Sequence, residues 1–223
     1  MFSNITSIIS NLKADPAGTL IYLLMFAVGI LFSLIIHEYA HGYVALKCGD
    51  PTAKWMGRLT LDPRKHLDPI GTICMLFLRI GWAKPVPINP GNFRNYRRDY
   101  ILVSLAGIFV NLIVFLLSTI VTVLIYKYTT ASWLTYAVQF FIMLAQMNLS
   151  LAIFNLLPIP PLDGYRFLDQ FVFKGSLSMN PQTMQIVHII FLAVCISGLL
   201  NGMLTTVNTT VFYGVFNFVF RIL

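Results

Sequence analysis

The chain has 223 residues, 57% of them hydrophobic and only 10% charged, against about 45–50% apolar and about 25% charged in an ordinary soluble domain. A mean hydropathy of +0.78 leaves more apolar surface than a soluble globule of this size can bury, which excludes an ordinary cytosolic enzyme and a disordered chain alike. The net charge of +7 then reads as basic loops facing the cytoplasm rather than as a nucleic-acid surface, so the expected partner is a lipid bilayer and no nucleic acid.

In chain order, residues 1–17 have no positive n-region and no small-residue cleavage site, and form either a loose tail or a short interfacial helix. Residues 18–46 are apolar and long enough to cross a membrane, with Asp15 as cap and Pro16 in the first turn. Residues 47–69 are polar and basic. Residues 70–80 are apolar but too short for a full crossing, and residues 81–90 hold three prolines. Together these two stretches predict a re-entrant or half-membrane element followed by an extended segment. Residues 92–99 form a basic stop, 101–126 a span, 127–132 a turn and 133–157 a returning span that ends in prolines. Residues 165–181 read as a loop or surface helix. Residues 185–200 and 203–220 are two shorter apolar runs around Asn201-Gly202, either two crossings or one broken crossing. The fold expected is an all-α polytopic membrane protein of five to six membrane segments, with a small β-hairpin or extended edge near residues 82–88. Ten of the 15 Lys and Arg lie between Lys47 and Arg98, which places that region on the cytoplasmic side. Cys48, Cys74 and Cys195 are too dispersed for a disulfide framework or a thiolate zinc site.

The first span contains His37-Glu38-Tyr39-Ala40-His41, an HExxH. On a helix His37 and His41 share one face a turn apart, where two imidazoles can hold a zinc ion and the neighbouring carboxylate can take a proton from water. So few letters are fixed that the motif alone is weakly specific; its setting sharpens it. Glu38 is the sole glutamate of the chain, and it lies well inside the hydrocarbon. A charge near the bilayer centre costs about 2.5–3.5 kcal/mol on insertion scales, so two histidines and a glutamate there call for a divalent cation. A bundle-lining polar face without metal is the plainer reading of the same residues.

Catalytic zinc takes a third protein ligand and keeps a position open. Asp163 stands out, because it follows a full span in Asn155-Leu156-Leu157-Pro158-Ile159-Pro160-Pro161-Leu162-Asp163-Gly164. The prolines forbid helix and let the chain turn back into a protein-lined cavity, and Gly164 permits a tight turn. Read from the residues alone, Asp163 is either the third ligand or the N-cap of a following helix.

HEYAH in one span and NLLPIPPLDG after a later one resemble the site-2 protease family of intramembrane zinc metalloproteases. The segments at residues 57–71 (GRLTLDPRKHLDPIG) and 81–92 (GWAKPVPINPGN) resemble its short bacterial branch without PDZ or CBS domains. The resemblance runs from about residue 30 to residue 169. It implies one zinc ion (Zn2+) per chain held by His37, His41 and Asp163, with Glu38 as general base and Asn155 positioning the substrate carbonyl or its oxyanion. It also implies a hydrolase acting on transmembrane segments of single-span membrane proteins, in the cytoplasmic membrane of a bacterium, with the site nearer the cytoplasmic side. The expected organisation is a single peptidase domain over residues 1–223, with a catalytic core at 18–169 and C-terminal membrane segments at 170–223. Residues 82–88 are expected to offer an edge for an extended substrate.

The alternative is a non-proteolytic zinc-binding membrane protein, a transporter or a scaffold. A transporter would show polar residues on several spans along a path, whereas here they concentrate around Glu38 and Asp163. Where the family often has Gly-Pro-x-x-Asn, this chain reads Gly107-Ile108-Phe109-Val110-Asn111, and Gly107 and Asn111 are read as helix packing. His66 is expected on the surface of a basic loop, His188 inside the bundle, and Trp82 as an interfacial anchor.

Overall fold

Asp15 begins the fold as the sequence demands. Its Oδ1 accepts from the Gly18 amide at 3.0 Å and Pro16 occupies the first helical position, the favoured cap chemistry. In the computed structural model, which describes residues 5–68, 71, 83–128, 134–177 and 180–223, this cap starts α2 (Pro16–Lys47), preceded by a short α1 (Ile5–Ala14). Two one-turn helices follow, α3 (Thr52–Trp55) and α4 (Pro63–His66). Then come α5 (Tyr96–Tyr128), α6 (Leu134–Leu156), α7 (Asp163–Phe171), α8 (Pro181–Ser197) and α9 (Asn201–Ile222). Helices α2, α5, α6 and α9 are long and apolar enough to cross a membrane, and α8 is a shorter apolar helix. The architecture is all-α and polytopic. Of the short apolar element expected at residues 70–80, all but residue 71 lies outside the described residues, as do Cys74 within it and Trp82.

Helix ends follow local chemistry. The basic stretch expected at residues 92–99 as a stop instead leads into α5, whose first turn it supplies from Tyr96 onward. Asn95 Oδ1 accepts from the Arg98 amide at 3.2 Å, and Asp99 Oδ2 accepts from the Asn95 amide at 2.8 Å, a reciprocal cap related to the capping box with its carboxylate one residue further along. Helix α6 ends where Pro158 begins the proline run. Asn180 caps α8 and Gly198, at φ +75°, ends it, so the last two apolar runs form two separate helices, α8 and α9.

Helix α5 is the hub, packing against α2, α6, α7 and α9. Phe115, Ala145, Leu149 and Phe212 join α5, α6 and α9 in one apolar cluster, and Ala45, Cys48 and Val103 join α2 to α5 in another. Since lipid tails are as apolar as leucine, polar contacts add specificity. Asn148 Nδ2 donates to Ser33 Oγ at 2.8 Å and Asn208 Nδ2 to Ser150 Oγ at 2.8 Å. Among the described residues there is no strand, only an isolated antiparallel bridge between Leu67 and Ala83.

Candidate metal centre

Three side chains from two helices meet where α2, α5 and α7 converge. His37 and His41 lie one turn apart on the buried face of α2. Asp163 arrives from the first turn of α7 because Gly164 lets that turn abut the end of α6. A Cβ on Gly164 would sit 2.2 Å from the Leu156 carbonyl oxygen and 2.7 Å from that of Leu157. Gly164 thus serves close approach rather than the tight turn expected of it. The cap residue of α7 is Leu162, which makes no side-chain cap hydrogen bond. Asp163 is therefore not the N-cap, and its carboxylate points to the histidines instead.

The distances form a nearly equilateral triangle. His37 Nε2 lies 3.0 Å from His41 Nε2, and Asp163 Oδ2 lies 3.2 Å and 3.1 Å from the two. All three residues are buried. Hydrogen bonds alone fit this triangle poorly, since two N–H groups aimed at one oxygen would face each other across 3.0 Å. A tetrahedron with metal–ligand bonds of about 2.0–2.1 Å has edges of roughly 3.3–3.4 Å. The two-nitrogen, one-oxygen set and its spacing fit one face of such a tetrahedron, so the group can hold a first-row divalent cation. Burial alone would push the Asp163 carboxyl up, but the two imidazoles outweigh it and hold the group well below the ordinary carboxylate range.

Each of the three side chains has a further polar group beside it, the kind of support that metal-binding side chains generally have. His41 Nδ1 donates to the Val103 carbonyl at 2.7 Å, which turns Nε2 into the site. The Asn111 amide lies 3.2 Å from His37 Nδ1. Arg166 Nη1 stands 3.7 Å from Asp163 Oδ1. Val103, Gly107 and Asn111 are spaced by four along one stripe of α5, and Gly107 clears the room that both imidazoles fill. Packing was thus too modest a reading of Gly107 and Asn111. The signal was present in the sequence, an amide and a glycine one turn apart in an apolar span, but it needed the partner helix to be interpreted.

Glu38, half-buried, and Asn155 line the same cavity of about 890 Å³ as His37, His41 and Asp163, together with Tyr100 and His188. Glu38 Oε2 accepts from the Val86 amide at 2.7 Å. Asn155 Nδ2 donates to the Leu151 carbonyl at 3.0 Å, which leaves its second N–H for other work. His188 therefore faces the cavity rather than only packing in the bundle. His66 departs from expectation: it is buried, with Nε2 2.7 Å from the Thr60 carbonyl, and it holds the loop together instead of sitting on its surface.

The extended segment is equipped differently from the expected substrate edge. Lys84 N–H is taken by the His66 carbonyl at 2.8 Å, Val86 N–H by Glu38 and Asn89 N–H by Asp50 at 2.7 Å. Pro85 and Pro87 have no N–H. Little of the donor ladder in residues 84–89 is left for an incoming strand.

Comparison with known proteins points one way. The model of peptidase family M50 matches residues 122–198. YwhC of Bacillus subtilis (strain 168) is 44% identical over 173 residues, covering 76% of this chain and 79% of that protein. Rip2 of Mycobacterium tuberculosis (strain ATCC 25618 / H37Rv) is 33% identical over 184 residues, covering 80% of this chain and 69% of that protein. The names of both carry the words zinc metalloprotease. No solved structure matches the chain.

Proposed function

The chain belongs to peptidase family M50, the site-2 protease family, and from that premise we propose that this multi-pass membrane metallopeptidase cleaves transmembrane segments of single-span membrane proteins. Its site residues are one zinc ion's ligands His37, His41 and Asp163, the general base Glu38 and the carbonyl-positioning Asn155. The observation that carries the reading is the placement of the chain's only glutamate. Glu38 borders the same cavity as the buried His37–His41–Asp163 triangle, within a membrane-crossing helix.

Zinc at this triangle supplies Lewis-acid polarisation of a carbonyl and activation of water. Glu38 takes the proton from the attacking water and returns it to the leaving amine. Asn155 offers its free N–H to the oxygen on which negative charge develops. A helical peptide bond is shielded by its own helix, so the substrate unwinds before it reaches the cavity. The concentration of basic residues between Lys47 and Arg98 supports water access from the cytoplasmic side of a bacterial inner membrane.

The test is purified protein, zinc-loaded, on a panel of single-span substrates. Glu38→Gln is expected to keep zinc at one per chain by metal analysis and to abolish cleavage. Cleavage by Glu38→Gln at the wild-type rate would remove Glu38 as the base. Stoichiometric zinc with no cleavage by the wild type would favour a scaffold or transporter.

A further inference from the structure

Glu38 is held by a backbone group whose surroundings are unusual. In Lys84-Pro85-Val86-Pro87-Ile88 the two prolines remove their own N–H groups. The amide of Val86 is the single donor between them, and it meets Glu38 Oε2 at 2.7 Å. The peptide that carries this N–H also carries the Pro85 carbonyl. That carbonyl, with the Lys84 carbonyl beside it, accepts from Arg58 Nη2 at 3.2 Å and 2.7 Å respectively. Because a peptide unit is planar and trans, its C=O and N–H point in opposite directions. A guanidinium on one side and a carboxylate on the other therefore grip the same rigid plane.

Arg58 is itself placed with care. Helix α3 ends in a Schellman motif: Gly57 adopts φ +63°, its N–H donates to the Lys54 carbonyl at 3.0 Å, and the Arg58 N–H to the Ala53 carbonyl at 2.9 Å. That motif sends the buried Arg58 side chain inward beneath the extended segment. Val86 is buried as well, and the absence of a side chain on Gly42 of α2 lets it pack close to α2, since a Cβ there would lie 3.0 Å from Val86 Cγ1.

We propose that Arg58 is a positioning residue for Glu38, acting through the peptide group between Pro85 and Val86. The inference rests on the reading of Glu38 as general base. Charge-assisted hydrogen bonds in a chain polarise one another. Arg58 fixes the plane and strengthens the Val86 N–H as donor. The N–H then holds Oε2, which leaves the other carboxylate oxygen of Glu38 to face the cavity. The segment at 84–88 thus serves the base rather than an incoming substrate strand.

The experiment uses the full chain in detergent, zinc-loaded and labelled with ¹⁵N-valine, and a fluorogenic single-span polypeptide as substrate. Arg58→Gln is expected to lower kcat by about 10- to 100-fold, the usual scale for outer-shell positioning groups, with KM and zinc content unchanged. Arg58→Lys is expected to recover part of that loss, because an ammonium reaches one carbonyl but lacks the planar fork. The Val86 amide resonance, identified by its loss in Val86→Ala, is expected to shift upfield in Arg58→Gln and in Glu38→Gln. The shift caused by Arg58→Gln should largely vanish in the Glu38→Gln background. An unmoved Val86 resonance, or a rise in KM at constant kcat, overturns the proposal; the latter would return the segment to substrate binding. Because the resonance is read without substrate, a coupled Val86 signal in a protein that cleaves nothing would overturn the protease reading and not this one.

Discussion

Gly107 stands against His37 with no room for a methyl group: a Cβ on Gly107 would lie 2.4 Å from His37 Cε1 and 2.5 Å from His41 Nε2. Alanine is the better helix former by about 1 kcal/mol, so the glycine serves the imidazoles rather than α5. Gly107→Ala is expected to lower zinc content sharply while the melting temperature of the zinc-free protein changes little. Metal analysis and thermal melting with and without chelator check both halves. A variant that binds zinc like the wild type would show that the rings shift at no cost.

Asn111 addresses the other end of His37. Its Oδ1 is buried without a hydrogen-bond partner while Nδ2 lies 3.2 Å from His37 Nδ1. The two ends of an amide are alike in shape, and turning it over gives His37 Nδ1–H an acceptor and leaves Nε2 a lone pair for the metal. Asn111→Ala is therefore expected to weaken zinc binding by about 10- to 100-fold, and Asn111→Asp, which keeps the acceptor, to retain most of it. Competition with a calibrated chelator measures this without substrate.

The sequence made parts of this site legible and hid others for physical reasons. HExxH carries its own geometry, since spacing by four on a helix puts His37 and His41 together. Asp163 was readable only as one of two alternatives, because a residue before a helix is a cap or a ligand depending on what lies opposite it. The spans were visible from hydropathy, but the start of α5 was not, because a reciprocal cap overrode the basic charges of residues 94–98. Arg58 was invisible: it is one of ten basic residues between positions 47 and 98, and its two carbonyl partners lie more than 25 residues away. His66 looked exposed for the same reason, as polar neighbours in sequence say little about a loop that folds onto itself.

Asp50 predicts a pH response outside the membrane spans. Its carboxylate accepts from the amides of Thr52 and Asn89, from the Thr52 hydroxyl and from Asn92 Nδ2, and so ties the end of α2 to the segment after the prolines. Burial pushes this carboxyl up, but the Thr52 and Asn92 side chains and the two amides outweigh burial and lower it below the ordinary range. A carboxyl lowered on folding contributes stability that is present above its unfolded value, about 3.9, and is lost as pH falls through the folded value. The melting difference between wild type and Asp50→Asn is expected to be constant from about pH 7 to pH 5 and to shrink below about pH 4. A difference independent of pH down to about 3 would remove Asp50 as the source.

Asn155 separates positioning of the reacting carbonyl from a helix-end hydrogen bond. Its Nδ2 donates one hydrogen to the Leu151 carbonyl, and the second is directed by the same amide plane while the side chain borders the cavity with Asp163. If that second N–H meets developing negative charge, Asn155→Ala should lower kcat by about 10²- to 10³-fold, the scale for losing one oxyanion donor, with KM and zinc content unchanged. Asn155→Asp should be no better, because a carboxylate keeps the shape but cannot donate and repels the charge. A helix-end bond alone would instead lower the melting temperature of both variants and leave kcat per zinc-loaded molecule intact. Burst-free steady-state kinetics normalised to bound zinc, set beside thermal melting, therefore decides between the two roles.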